Sequence, residues 1–243
     1  MSRQKLSAQV SNEISKLINI EFMPGSKIPT ENELCERFNV SRTTLREAIK
    51  ELCSLNVLEI KRGVGTFVKE HPGVVNDPFG MKYMENSKFP EDMWEIGLFL
   101  EPQLASMAAN RASTEQISEL GDIQQEYLDA VKLYFDEKSE FAMNLMFEYD
   151  GKFHTAISKM SGNAIFENLY LSYVDMVNVN VRPTHGLYII DSNVKYHNLI
   201  MKDIEARDSK EAKRHMYIHN CTVRDSWYEE NGISVSIADG EGV

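Results

Sequence analysis

The chain has 243 residues, 42% hydrophobic and 26% charged, a balance ordinary for a globular protein of one large domain or two modest ones. It has no stretch of about 18 apolar residues, so a transmembrane helix is not expected. Its polar opening, MSRQKLSAQVSNEISKL, lacks the apolar core of a secretory signal, so a cytoplasmic location without membrane partners is expected. Cys35, Cys53 and Cys221 are odd in number and form no C-x-x-C pair, which argues against a disulfide framework or a thiolate metal site. The net charge of −11 argues against nucleic-acid binding until its distribution is considered. Residues 1–70 hold 11 basic and 9 acidic side chains, whereas the remainder holds 15 and 28. DNA affinity depends on the local basic face, and the split suggests two domains.

In chain order, Leu6, Val10, Ile14, Leu17 and Ile18 recur at helical spacing over residues 6–20, and Pro24-Gly25 ends the run. Thr30 and Glu33 stand at capping-box spacing and open a short helix that stops near Phe38-Asn39. Ser41 caps the next helix, Arg42 to about Leu55. Its apolar face is Leu45, Ile49, Leu52 and Leu55. Its other face carries Arg42, Thr43, Thr44, Arg46 and Lys50. A second helix presenting Arg and Thr near its N-terminus suits the major groove, where Arg grips guanine and Thr reaches phosphate or a thymine methyl. Val57–Ile60 and Thr66–Val68 read as short strands joined by Arg62-Gly63-Val64-Gly65, a basic hairpin placed as a wing. Each piece alone is usually a solvated helix face or an ordinary hairpin. Their order and spacing together are specific.

The segment PGSKIPTENELCERFNVSRTTLREAIKELCSLNVLEIKRGVGTFV closely resembles the DNA-binding domain of the GntR family of bacterial regulators, over about residues 7–69. The resemblance implies DNA contacts at Ser41, Arg42, Thr43, Thr44 and Arg46, with Gly65 at the wing tip. Where the family often has an arginine that contacts DNA, this chain has Asn32, which implies a different operator.

His71-Pro72-Gly73 and Asn76-Asp77-Pro78 mark a linker over 71–88. Beyond it, helices are expected at about 90–111, 114–135, 138–161, 163–180, 188–207 and 209–230, followed by a loosely ordered tail over 232–243. The fold class is therefore mostly α: an N-terminal winged helix-turn-helix over 1–70 and a C-terminal all-helical bundle over 89–231. Bundles build sites from side chains on facing helices. Asp150 and His154 are four apart, on one helix face, and His197 and His219 lie on later helices. One carboxylate and three imidazoles suit zinc, nickel or another borderline divalent ion. A D-x-x-x-H pair is also common by chance, and His215 with His219 forms a rival pairing.

The bundle resembles the FCD ligand-binding domain of the FadR subfamily of GntR regulators, over about residues 92–230. The resemblance rests on Leu100-Glu101-Pro102 with Ala108–Ala112, on Asp150 with Phe153-His154, and on His197 with Ile204 and Ala206-Arg207-Asp208 before His219. It implies metal ligation by Asp150, His154, His197 and His219, with zinc the first expectation. Many members carry an arginine that pairs with an effector carboxylate at the position of Gly97. Arg182 is a candidate substitute in effector binding. Together the resemblances imply a homodimer on a near-palindromic operator, regulated by a small organic-acid or sugar-acid effector. The alternatives are a constitutive DNA-binding dimer with a structural bundle, or a metal-dependent hydrolase.

Overall fold

The structure, a computed structural model, describes residues 3–73, 89–180, 190–230 and 232. The chain divides into two compact units, Met1–Gly80 and Met81–Val243.

The first unit opens with α1 (Arg3–Glu21), which buries Val10, Ile14, Leu17 and Ile18. Helix α2 (Glu31–Phe38) starts with a complete capping box: the Thr30 hydroxyl accepts from the Glu33 amide, and the Glu33 carboxylate accepts from Thr30 N–H at 2.7 Å. Asn39 ends it in the left-handed region, φ 51° and ψ 50°. Helix α3 (Arg42–Ser54) follows at once, and its amphipathic spacing turns Leu45, Ala48, Ile49 and Leu52 into the core against α1. Strands β1 (Leu58–Lys61) and β2 (Gly65–Val68) pair antiparallel from Leu58↔Val68 to Lys61↔Gly65. A third edge was not foreseen, because Pro24-Gly25 reads only as a break. Ile28 N–H donates to Thr66 O at 2.9 Å and Val68 N–H donates to Ser26 O, so the segment before α2 lines up along β2.

The hairpin corrects the expectation for Gly65. The apex of the turn is Arg62–Val64, with Gly63 at φ +74°, whereas Gly65 begins β2 at the base. Gly65 is needed there because its φ is +145° and a β-carbon would run into the Lys27 side chain.

The described part of the second unit is helical: α4 (Phe89–Arg111), α5 (Thr114–Glu137), α6 (Glu140–Met160), α7 (Ala164–Asn180), α8 (Ile190–Glu205) and α9 (Ser209–Glu230). These follow the expected stretches to within a few residues. Helices α5 and α6 start at serine caps, Ser113 and Ser139, that accept from backbone amides. The core joins Leu100, Leu104 and Ala108 of α4 to Phe153 and Ile157 of α6 and to Ile200 and Ile204 of α8. Small alanines on α4 allow close helix approach. Two arginines tie helix ends together. Arg207 Nη1 donates to Ala112 O at 2.6 Å and to Ala109 O at 3.3 Å, and Arg111 Nη1 donates to Ser161 O at 2.8 Å. Each satisfies carbonyls that a helix C-terminus leaves without a partner. Most of the expected linker, the start of the fifth bundle helix and nearly all of the tail lie outside the described residues.

Candidate functional site

On α3, Arg42, Thr43 and Arg46 are exposed on one side. Ser41 and Thr44 are engaged with each other. Ser41 Oγ accepts from the Thr44 amide at 3.2 Å, the two hydroxyls stand 3.0 Å apart, and Thr44 is 5% exposed. Thr44 therefore fixes the start of the helix rather than projecting from it. Arg46 is gripped by Glu31 at the start of α2, with Nε donating to both carboxylate oxygens at 3.1 and 2.9 Å. Glu31 was not singled out in the sequence, because the two residues are 15 apart and meet only when α2 packs across α3.

In the second unit the folding brings the expected imidazoles together. Nitrogen atoms of His154 on α6, His197 on α8 and His219 on α9 lie within 4.8 Å of one another, and all three rings are buried. His154 Nε2 and His219 Nε2 are 3.2 Å apart, the spacing of two ligands that share an ion at about 2.0–2.1 Å. Asp150, one turn before His154, places Oδ1 3.6 Å from His197 Nε2. The opposite edges of two rings are anchored. His154 Nδ1 lies 2.6 Å from Glu101 Oε2 of α4, and His197 Nδ1 lies 3.2 Å from Gln124 Oε1 of α5. Both facing atoms are oxygens able to accept from Nδ1, an arrangement that would leave each Nε2 lone pair to the cluster. His197 Nε2 is fully buried without a hydrogen-bond partner. A buried orphan of this kind is what a bound ion satisfies, so the residues present fit a divalent metal. Phe153 stacks on His197 at 4.0 Å between ring centres and sets its plane.

The electrostatics favour ligation. Burial, then the neighbouring imidazoles, push His197 well below the ordinary histidine value; burial and His154 do the same to His219. Burial also works against the charged form of His154, but the charge and hydrogen bond of Glu101, with Asp150, raise it overall. His215, the rival partner of His219, instead pairs with Asp203 at 2.6 Å, away from the cluster. Glu101 and Gln124 were not assigned as anchors from the sequence. The Glu-Pro pair was visible as a motif, but its role needed the packing of α4 on α6.

A cavity of about 160 Å³ opens beside the imidazoles, its walls including Trp94, Asp150, His154, Tyr173, Asn193 and His219. That volume suits a small organic molecule, since water occupies about 30 Å³. Gly97 shapes its wall. A β-carbon there would collide with the Tyr173 hydroxyl, so glycine lets Tyr173 close against α4. Arg182 lies outside the described residues.

Residues 6–68 match the family model described as bacterial regulatory proteins, gntR family, and residues 92–220, more than half the chain, match the FCD domain. The chain belongs to the GntR family. As a GntR protein with an FCD domain it is a transcription regulator, in the FadR-type arrangement that the motifs implied. Among its relatives are the HTH-type transcriptional repressor NanR of Cronobacter sakazakii, 28% identical over 93% of this chain and 87% of its own length, and NanR of Escherichia coli K12, 28% identical over 94% and 86%. The solved structure named Streptococcus agalactiae GntR superposes with a TM-score of 0.72 at 28% identity, covering 90% of this chain and 100% of that one. The two NanR proteins are named transcriptional repressors, not enzymes, so the hydrolase alternative finds no support among them and this GntR protein stands as a regulator.

Proposed function

We propose that this GntR protein is a ligand-responsive repressor that binds a near-palindromic operator as a cytoplasmic homodimer. In this reading a divalent ion, zinc first, is held by Asp150, His154, His197 and His219. A small organic acid or sugar acid binds in the adjoining cavity. The observation that carries the reading is the buried imidazole cluster, with Glu101 and Gln124 beside the Nδ1 edges of His154 and His197, opening on a ligand-sized cavity. A bound ion supplies a Lewis-acidic point for a carboxylate oxygen. The chain's own residues orient it: Glu101 and Gln124 fix the rings, and Tyr173 closes the wall beside Gly97.

On the DNA side, Arg42, Thr43 and Arg46 are the readers of the major groove, Ser41 and Thr44 position the helix start against a phosphate, and the wing from Arg62 to Gly65 approaches the adjacent groove. Arg46 must exchange Glu31 for a base or phosphate as DNA binds. The effector acts by binding one arrangement of the dimer more tightly than the other, and release from DNA is the expected direction.

The test is metal content of protein purified without chelator or nickel resin, combined with anisotropy titration of DNA from its own promoter region. Near-stoichiometric metal that is lost in both His154→Ala and His197→Ala, with DNA affinity lost in Arg42→Ala, supports the reading. Full metal occupancy in His197→Ala removes the ligand set. Unchanged DNA affinity in Arg42→Ala removes the recognition helix.

A further inference from the structure

The cavity runs along α9. Its wall there is His219, Asn220, Val223, Ser226, Trp227 and Glu230, which recur at helical spacing along one face. At a rise of about 1.5 Å per residue, the Cα atoms of His219 and Glu230 are about 16 Å apart. The cavity thus has an imidazole end and a second end where α9 finishes. At that second end Trp94 of α4 meets Trp227, with ring centres 6.4 Å apart and planes at 54°. Glu230 adds a carboxylate to the wall. One turn before Trp94, Glu91 keeps a carboxylate oxygen buried with no hydrogen-bond partner. Two indole rings and two carboxylates gather where α4 begins and α9 ends, and Trp94 Nε1 is buried there without a hydrogen-bond partner.

That chemistry selects the far end of the ligand. A second carboxylate could take the single Trp94 N–H but would meet the like charge of Glu230 and Glu91 in a partly desolvated cleft, a cost that one hydrogen bond does not offset. An ammonium would meet the carboxylates with opposite sign, by ion pairing, and the indole rings by cation–π attraction. At the imidazole end, Asp150 and Glu101 would offset most of the charge of a divalent ion, which leaves it an open coordination position for one carboxylate but little excess charge for a second anionic group.

We propose that the effector is a zwitterion, with its carboxylate at the imidazole cluster and its ammonium between Trp94, Trp227 and Glu230. This rests on the reading above, in which an acid binds the metal.

The test keeps the two apart. Full-length protein loaded with cobalt is titrated calorimetrically with hexanoate, adipate and ω-aminohexanoate, and with the corresponding eight-carbon set. The cobalt absorption band reports the carboxylate end, and the affinity ratio within a set reports the far end. In one set or the other, the amino acid is expected to bind about tenfold or more tightly than the plain acid, with the diacid weakest. Glu230→Gln should erase that preference while keeping the cobalt band shift. If that variant fails to fold, the comparison on the unaltered protein still decides. Equal affinities with a shifted band, or tightest binding by the diacid, overturn the zwitterion and leave the acid-at-metal reading standing. An unshifted band with all six compounds overturns both.

Discussion

At His154 one nitrogen faces the other imidazoles because Glu101 holds the opposite one at 2.6 Å. Removing the charge of that anchor should weaken ligation without disturbing the fold. Glu101→Gln is expected to lower zinc affinity about 10- to 100-fold, read by chelator competition, and unchanged affinity would show that Glu101 does not orient the ring. Proton linkage gives a second expectation, for metal-free protein. His197 and His219 have folded values below the unfolded value of 6.5, so they cost nothing above it. As pH falls below 6.5 the unfolded chain takes up protons that the native rings resist, and stability drops. His154 is shifted upward, so it stabilises below 6.5 and offsets part of that loss. Two downward shifts against one should leave a net fall in the melting temperature from pH 7.5 to 5.5, which scanning fluorimetry at about 0.15 M salt can follow; a rise would contradict the burial of neutral rings. Gly97 supplies a third expectation. Gly97→Ala should destabilise by about 1–3 kcal/mol through the collision with the Tyr173 hydroxyl, and adding Tyr173→Phe should recover most of the loss in a denaturant titration. Additive losses in the double variant would place the strain elsewhere.

At the scale of elements, the helix boundaries follow from short-range chemistry. Thr30 with Glu33, and Ser41, answer backbone amides within three residues, which is why they were legible in the sequence; Ser113 and Ser139 cap α5 and α6 in the same way but were not singled out there. Ser41 carries an added burden, since its hydroxyl also meets that of the buried Thr44. Ser41→Ala is expected to cost about 1 kcal/mol of stability in the first unit, with a further loss of operator affinity as the α3 start frays. Stability loss without any effect on DNA binding would separate the cap from recognition. The strand-like edge at residues 25–28 was not legible, because it pairs with β2 some forty residues later and carries no alternating pattern of its own. Gly65 was misplaced at the wing tip for a related reason. A glycine-rich turn announces a hairpin, but its register is set by cross-strand pairing. The arginines of the bundle motifs, Arg111 and Arg207, emerge as clamps on helix ends rather than ligand contacts.

At the scale of the whole molecule, the charge is divided between units. Residues 1–70 carry a small positive excess and the remainder carries the acidic surplus. Operator affinity should therefore fall steeply with salt. Arg42→Ala should reduce both the affinity and the salt slope, because an Arg that meets phosphate releases counterions when it binds. A slope unchanged by the substitution would make Arg42 a base reader alone or no contact at all. If effector and operator compete for arrangements of one dimer, each must lower the affinity for the other by the same factor, and anisotropy with calorimetry measures both sides.

The sequence by itself determined the two-part organisation, most of the helix boundaries and the helix-turn-helix order, and it offered His154, His197 and His219 as candidates with His215 as a rival. These depend on local propensity, on capping within one turn and on residue types at helical spacing, all written in neighbouring positions. Only the tertiary structure decided which nitrogen of each ring faces inward, that Glu101 and Gln124 do the anchoring, that His215 leaves the cluster for Asp203, that Glu31 grips Arg46, and that Tyr173 fills the space beside Gly97. Those facts belong to pairs of residues up to 76 positions apart, brought together by the packing of different helices, and no local pattern in the chain encodes the distance between them.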